Sequence, residues 1–258
     1  MNILFITDSL GYPREGDNIF FTDTYFYKIC TSILKDHQIE EDDFTKKWIK
    51  YKNFHDIFIA KLIKDQHKIK IISISSMDVR ILQKIINLMD IDNISHLFIQ
   101  VGIVDCTPRI LSRREVQIIS KIKPLSLIVK PFLKRKRKEI INNYYLRHTK
   151  FKRYIDEESF NITLSNIIKT VKDKATVNLF TICPIPSSFN KTTPGWIFSV
   201  IRYNLIIKDL SIQCQINNVN LYENMKHNPL KYVISDGHHL NIVGHALTSR
   251  LILQNINI

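Results

Sequence analysis

Met1-Asn2-Ile3-Leu4-Phe5-Ile6-Thr7-Asp8-Ser9-Leu10 is the stretch whose reading decides the fold. Asn2 to Ile6 carries no charge, and the run breaks at Thr7-Asp8-Ser9. An apolar run of this length bounded by polar residues predicts a buried strand. A serine just past such a strand stands where α/β sheets place their chemistry, beyond the carboxyl ends of the strands. Serines after strands are usually turn formers, so Ser9 alone proves nothing. Its interest comes from Asp236-Gly237-His238-His239 near the other end of the chain. A serine, a histidine and a carboxylate are the parts of an activated-nucleophile site.

Working outward, the same rhythm repeats. Residues 11–23 hold Gly11, Pro13 and Gly16 among charges and predict a loop lining the site. Helical spacing predicts helices over Thr24–Lys35, Phe54–Ile63, Val79–Met89, Phe160–Val171, Trp196–Ile216 and Asn241–Leu253. Short apolar runs predict strands over Lys68–Ile74, His96–Val101, Val177–Ile182 and Val219–Tyr222. Strands alternating with helices predict a mostly parallel sheet. Residues 107–157 interrupt the alternation with Pro124, Pro131, the run Lys134-Arg135-Lys136-Arg137-Lys138 and interleaved aromatics. No Gly/Ser linker brackets them, so they read as a basic, mainly helical excursion within a single domain spanning 1–258.

Composition bounds the alternatives. At 45% hydrophobic and 24% charged, the 258 residues are ordinary globular material with enough apolar surface for a sizeable core. No apolar segment approaches 18 residues and no charged leader precedes the first strand, so neither a membrane span nor a signal peptide is expected. Cys30, Cys106, Cys183 and Cys214 fit no zinc spacing and no dense disulfide framework. Buried thiols in a reducing cytoplasm are the expectation. A formal net charge of +13 has two readings. It marks an anionic partner, or it reflects a chain rich in Ile, Asn and Lys throughout.

Three ordered blocks resemble the SGNH (GDSL-type) hydrolases. Thr7-Asp8-Ser9-Leu10 stands where that family has Gly-Asp-Ser-Leu, Gly102-Ile103-Val104-Asp105 where it has Gly-x-Asn-Asp, and Asp236-Gly237-His238-His239 where it has Asp-x-x-His. Val101 to Arg109 and Tyr203-Asn204 are similar to a variant found in bacterial surface-polysaccharide gene clusters. The resemblance implies a three-layer α/β/α sandwich of flavodoxin-like type. It implies Ser9 as nucleophile, His239 as proton carrier and Asp236 as its orienting carboxylate. It implies an oxyanion hole from the backbone N–H groups of Ser9 and Gly102, supported by Asp8 and Asp105. No metal or organic cofactor is implied. The activity implied is removal of an acyl group from an ester, on a carbohydrate, through an acyl-serine.

The departures are specific. Thr7 replaces the family's first glycine, and Val104 replaces the asparagine that donates to the oxyanion. The other oxyanion glycine falls among Ser73, Ser75 and Ser76. One lost donor of this kind costs about 10²–10³ in turnover. Two rivals therefore stand beside the esterase: an O-acyltransferase on a surface glycan with the same triad, and a catalytically weakened binding or assembly protein. Asp236, His238, His239 and His245 offer a metal set, but no Cys or carboxylate cluster completes it. Cys106 reads as a space filler rather than a thiol nucleophile. Lys134 to Lys138 read as a solvated face or as the contact for an anionic glycan or membrane surface. Nucleic acid ranks last, since no binding motif accompanies the charge.

Overall fold

The computed structural model describes residues 1–8, 68–74, 76–121, 123–143 and 151–256. Ser9, Ser75, the 11–23 loop and the helices expected over Thr24–Lys35 and Phe54–Ile63 lie outside the described residues.

Five strands form the sheet: β1 Asn2–Thr7, β2 Lys68–Ser73, β3 His96–Gln100, β4 Thr176–Phe180 and β5 Asn217–Val219. Their order is β2-β1-β3-β4-β5, and every neighbouring pair is parallel. Ile3 to Thr7 are buried one after another, as a strand covered on both faces requires. Phe5 stacks on Phe98 with centroids 4.6 Å apart, and Phe98 meets Phe180 at 6.0 Å, tying β1, β3 and β4 at mid-sheet.

The helices flank the sheet in a three-layer α/β/α sandwich. They are α1 Val79–Leu88, α2 Ile103–Cys106, α3 Arg113–Lys121, α4 Lys123–Asn142, α5 Glu157–Val171, α6 Trp196–Gln213, α7 Leu221–Met225 and α8 Ile242–Asn255. The apolar spacing selects the buried faces. Val79, Leu82 and Ile86 are the buried residues of α1, and Phe160, Leu164, Ile167, Ile168 and Val171 those of α5. Side-chain caps fix where these helices start: Asp78 accepts from the Arg80 and Ile81 N–H groups, and Asp156 from that of Ser159. Among the described residues no helix is long and apolar enough to cross a membrane.

One expected strand is set differently. Val219–Tyr222 was the stretch with strand character, but pairing ends at Val219. The Asn220 side chain then accepts from the Glu223 N–H and starts α7 at Leu221. A local cap outcompetes a short apolar run there.

The order 2-1-3-4-5 reverses direction between β1 and β3, the place where such sheets open a crevice at their carboxyl ends. Asp8 leaves β1 at that point, its N–H donating to the Gln100 carbonyl of β3 at 3.2 Å.

Candidate active site

Asp236 and His239 are brought together by a tight turn. The Ile234 N–H donates to the His239 carbonyl and the Gly237 N–H to the Ile234 carbonyl, both at 2.9 Å. Gly237 has φ 80°, and a Cβ there would sit 2.5 Å from the Phe189 ring, so only glycine fits this turn unstrained. Asn241 holds the turn from behind. Its amide donates to the Lys231 carbonyl at 2.9 Å while its oxygen caps α8 through the Val243 and Gly244 N–H groups.

Inside the turn, His239 Nδ1 lies 2.6 Å from Asp236 Oδ2. The His238 and His239 backbone N–H groups donate to Asp236 Oδ1 at 3.1 and 3.0 Å. Partial burial works to raise the Asp236 pKa, but the His239 side chain and these N–H groups outweigh it and hold the carboxyl well below the usual range. An ionised Asp236 fixes the proton of His239 on Nδ1, which makes Nε2 the basic nitrogen of the ring. His239 is buried, whereas His238 is half-buried and sets its ring against Trp196 in a tilted contact, centroids 5.6 Å apart.

The donor atoms of Asp236, His238 and His239 lie within 4.8 Å of one another, the geometry of a possible metal cluster. Ligands of one tetrahedral ion with 2.0–2.1 Å bonds stand about 3 Å or more apart. The 2.6 Å contact of His239 with Asp236 is that of a hydrogen-bonded pair instead.

Gly102 follows β3 with φ 120°, and a Cβ there would lie 2.7 Å from Ile182 Cδ1. Ile182 is itself clasped by Asn204 of α6: its N–H donates to Asn204 Oδ1 at 2.7 Å and its carbonyl accepts from Nδ2 at 2.9 Å. The neighbouring Tyr203 hydroxyl donates to the Ile155 carbonyl. The Tyr203-Asn204 pair thus ties α6 to the backbone that follows β4 and to the backbone that precedes α5.

Asp8 and Asp105 are wholly buried. Asp105 does not simply fix its own loop. Its Oδ1 accepts from the Val79 N–H at 3.0 Å and so ties the loop after β3 to the start of α1. Burial pushes its carboxyl up to about 7, with the Asp8 charge adding to the rise and the Val79 N–H opposing it. Cys106 is fully buried with its thiol pushed far above the usual range by that burial, so it is no thiolate nucleophile.

A cavity of about 630 Å³ opens beside His239. Val104 and Ile103 form part of its floor, and Ser76, in a left-handed conformation at φ 60°, lines it from the β2 side. The excursion forms the far wall through Val116 of α3 and Leu133, Lys134 and Arg137 of α4. Of the basic run, then, Lys134 and Arg137 reach the cavity lining. Among the residues not recognised in the sequence as cavity residues are Arg109, Trp196 and Tyr154. Arg109 ends the Gly102 block, where a cation after Thr107-Pro108 was the available signal. Trp196 opens α6 and reads as core by spacing alone.

No protein-family model matches the chain, and no curated protein matches it. Solved structures do. A lipase/acylhydrolase from Enterococcus faecalis superposes with a TM-score of 0.56 at 14% identity, over 99% of this chain and 94% of that one. A member of the lipolytic G-D-S-L family from Veillonella parvula gives 0.53 at 13%, over 100% and 98%. An acetylxylan esterase from Geobacillus stearothermophilus gives 0.52 at 15%, over 100% and 94%. Two further structures of that esterase are catalytic mutants, one with a serine and one with an aspartate replaced by alanine. At these identities the likeness establishes the fold.

Proposed function

We propose that this protein is a serine ester hydrolase of SGNH type acting on an acylated carbohydrate. The observation that carries the reading is the 2.6 Å contact of Asp236 with His239 on the wall of a cavity at the carboxyl ends of the strands. The likeness of the fold to lipolytic enzymes and an acetylxylan esterase supports it.

In this reading Ser9 Oγ attacks the ester carbonyl while His239 Nε2 takes its proton. Asp236 stabilises the imidazolium that results. The tetrahedral intermediate collapses as His239 returns the proton to the leaving alcohol, and water repeats the cycle on the acyl-serine. The Gly102 N–H, at the start of α2, and that of Ser9 serve the oxyanion. Val104 offers no donor, and Ser76 across the same cavity is the proposed substitute. Tyr154 and Trp196 give the cavity the aromatic surfaces a sugar ring packs on. An acylated surface glycan is the proposed substrate, and the buried free thiols Cys106 and Cys183 suit a reducing cytoplasm.

A fluorophosphonate probe tests the reading. It is expected to label Ser9, located by peptide mass spectrometry, and Ser9→Ala is expected to abolish both labelling and ester turnover. Equal labelling of Ser9→Ala and the parent protein would overturn the nucleophile assignment.

A further inference from the structure

We propose that the cavity beside His239 contains a subsite for an anionic oxygen group, a carboxylate or phosphate on the alcohol portion of the ester, held by Arg109 and Arg137. The proposal rests on the esterase reading above and names its substrate class.

The arginines around this end of the molecule fall into two kinds. Arg113 pairs with buried Asp78, and Arg153 with Glu157. Arg109 and Arg137, the two that line the cavity, have no carboxylate partner among the described residues. Nor is any described residue of the cavity lining acidic. An uncompensated cation in a partly desolvated wall is costly unless an anion arrives to meet it.

Both guanidinium groups are held in place without being used up. Arg109 lies over the Tyr154 ring at 4.5 Å, and its backbone exchanges two 2.7 Å hydrogen bonds with Lys152. Its Nε is buried with no hydrogen-bond partner among the described residues. Arg137, at the rim, spends Nε and Nη2 on the Thr192 carbonyl and Nη2 on Thr193 Oγ1. Its Nη1 makes no hydrogen bond to a described residue. Partial burial, with the Arg109 charge adding to it, lowers the Arg137 pKa. Trp196 adds a second independent sign. Its side chain lines the cavity, the residue is 5% exposed, and its Nε1 is buried without a partner among the described residues. Lys134 completes the basic side. Unmet N–H donors in a lining without a described carboxylate call for a ligand rich in acceptors, and the planar guanidinium fork matches the oxygens of a carboxylate or phosphate.

The test compares kcat/KM for three O-acetylated sugars: a neutral methyl glycoside, the corresponding uronic acid and the sugar phosphate. The parent protein is expected to favour one of the acidic esters over the neutral one by about 10- to 100-fold, the range for a charge-assisted hydrogen bond. Which acidic ester leads distinguishes carboxylate from phosphate. In Arg109→Gln and Arg137→Gln that ratio is expected to fall toward one, chiefly through KM. Because it is a ratio within one protein, partial unfolding cancels. Lys169→Gln removes the same single charge in the last turn of α5 and is expected to leave the ratio unchanged. Binding of the leading acidic ester to Ser9→Ala, measured by calorimetry, reads the subsite without turnover and is expected to weaken by the same factor in the arginine variants. A ratio near one in a parent protein that labels with fluorophosphonate would overturn the subsite while leaving the esterase reading standing. Failure of the parent protein itself to label, with acidic-ester binding present, would overturn the esterase reading alone.

Discussion

Asp105 shows how one buried carboxyl makes the molecule's stability depend on pH. Its folded pKa of about 7 lies above the ordinary 3.8. The native state therefore binds this proton more tightly than the unfolded chain, and stability falls as pH rises from about 4 to 7, then levels. The swing is up to about 4 kcal/mol for a shift of this size. Asp236 acts in the opposite sense, since its depressed pKa contributes stability above the ordinary carboxylate pKa that is lost as pH falls. Asp105→Asn keeps an acceptor for the Val79 N–H and removes the titration. Urea unfolding at pH 5 and pH 8 is expected to show the variant gaining on the parent protein at the higher pH. A constant gap between them would show that Asp105 is already ionised at pH 5. Nothing in Gly-x-x-Asp spacing betrays this behaviour, because burial depth depends on α1 packing down from elsewhere in the chain.

Among elements, α6 does the most to place the site. Its buried Asn204 meets both backbone groups of Ile182, whose side chain in turn backs Gly102. Asn204→Leu leaves a buried N–H and a buried C=O unpaired, a cost of about 2–5 kcal/mol. Denaturant midpoints should drop accordingly, and Asn204→Asp, which keeps the acceptor, should lose less. The Tyr203-Asn204 dipeptide was visible in the sequence, but the clasp was not, since it spans Ile182 to Asn204. The strands were legible where apolar runs ended in polar residues, as at Thr7-Asp8. They were misread where a single residue decided the matter, as when Asn220 turned the end of the expected fifth strand into α7. The Asp236–His239 pairing was legible because only Gly237 and His238 separate them, so local chain geometry alone brings them together. Arg109 and Trp196 meet the same cavity from positions 87 residues apart, and only the folded chain relates them.

At the scale of the whole molecule, the net charge of +13 sets a field that anionic molecules encounter before they touch the cavity. Salt screens that field over a Debye length of about 10 Å at 0.1 M. For an acidic ester, kcat/KM is expected to fall several-fold between 50 and 300 mM NaCl, while a neutral ester changes little. Equal salt response by both would assign the charge to composition rather than to recognition. In the proposed mechanism the fold also separates what recognises from what reacts. Arg109 and Lys152 join the two feet of the excursion by paired backbone hydrogen bonds, so everything between them leaves and re-enters the sheet domain at one point. Chain ends already held side by side add little closure entropy when the span between them is shortened or exchanged. In evolutionary terms the excursion is a cassette. On the esterase reading, an exchanged excursion would present the cavity to a different alcohol and leave intact the turn that carries Asp236 and His239, held by Phe189 and Asn241.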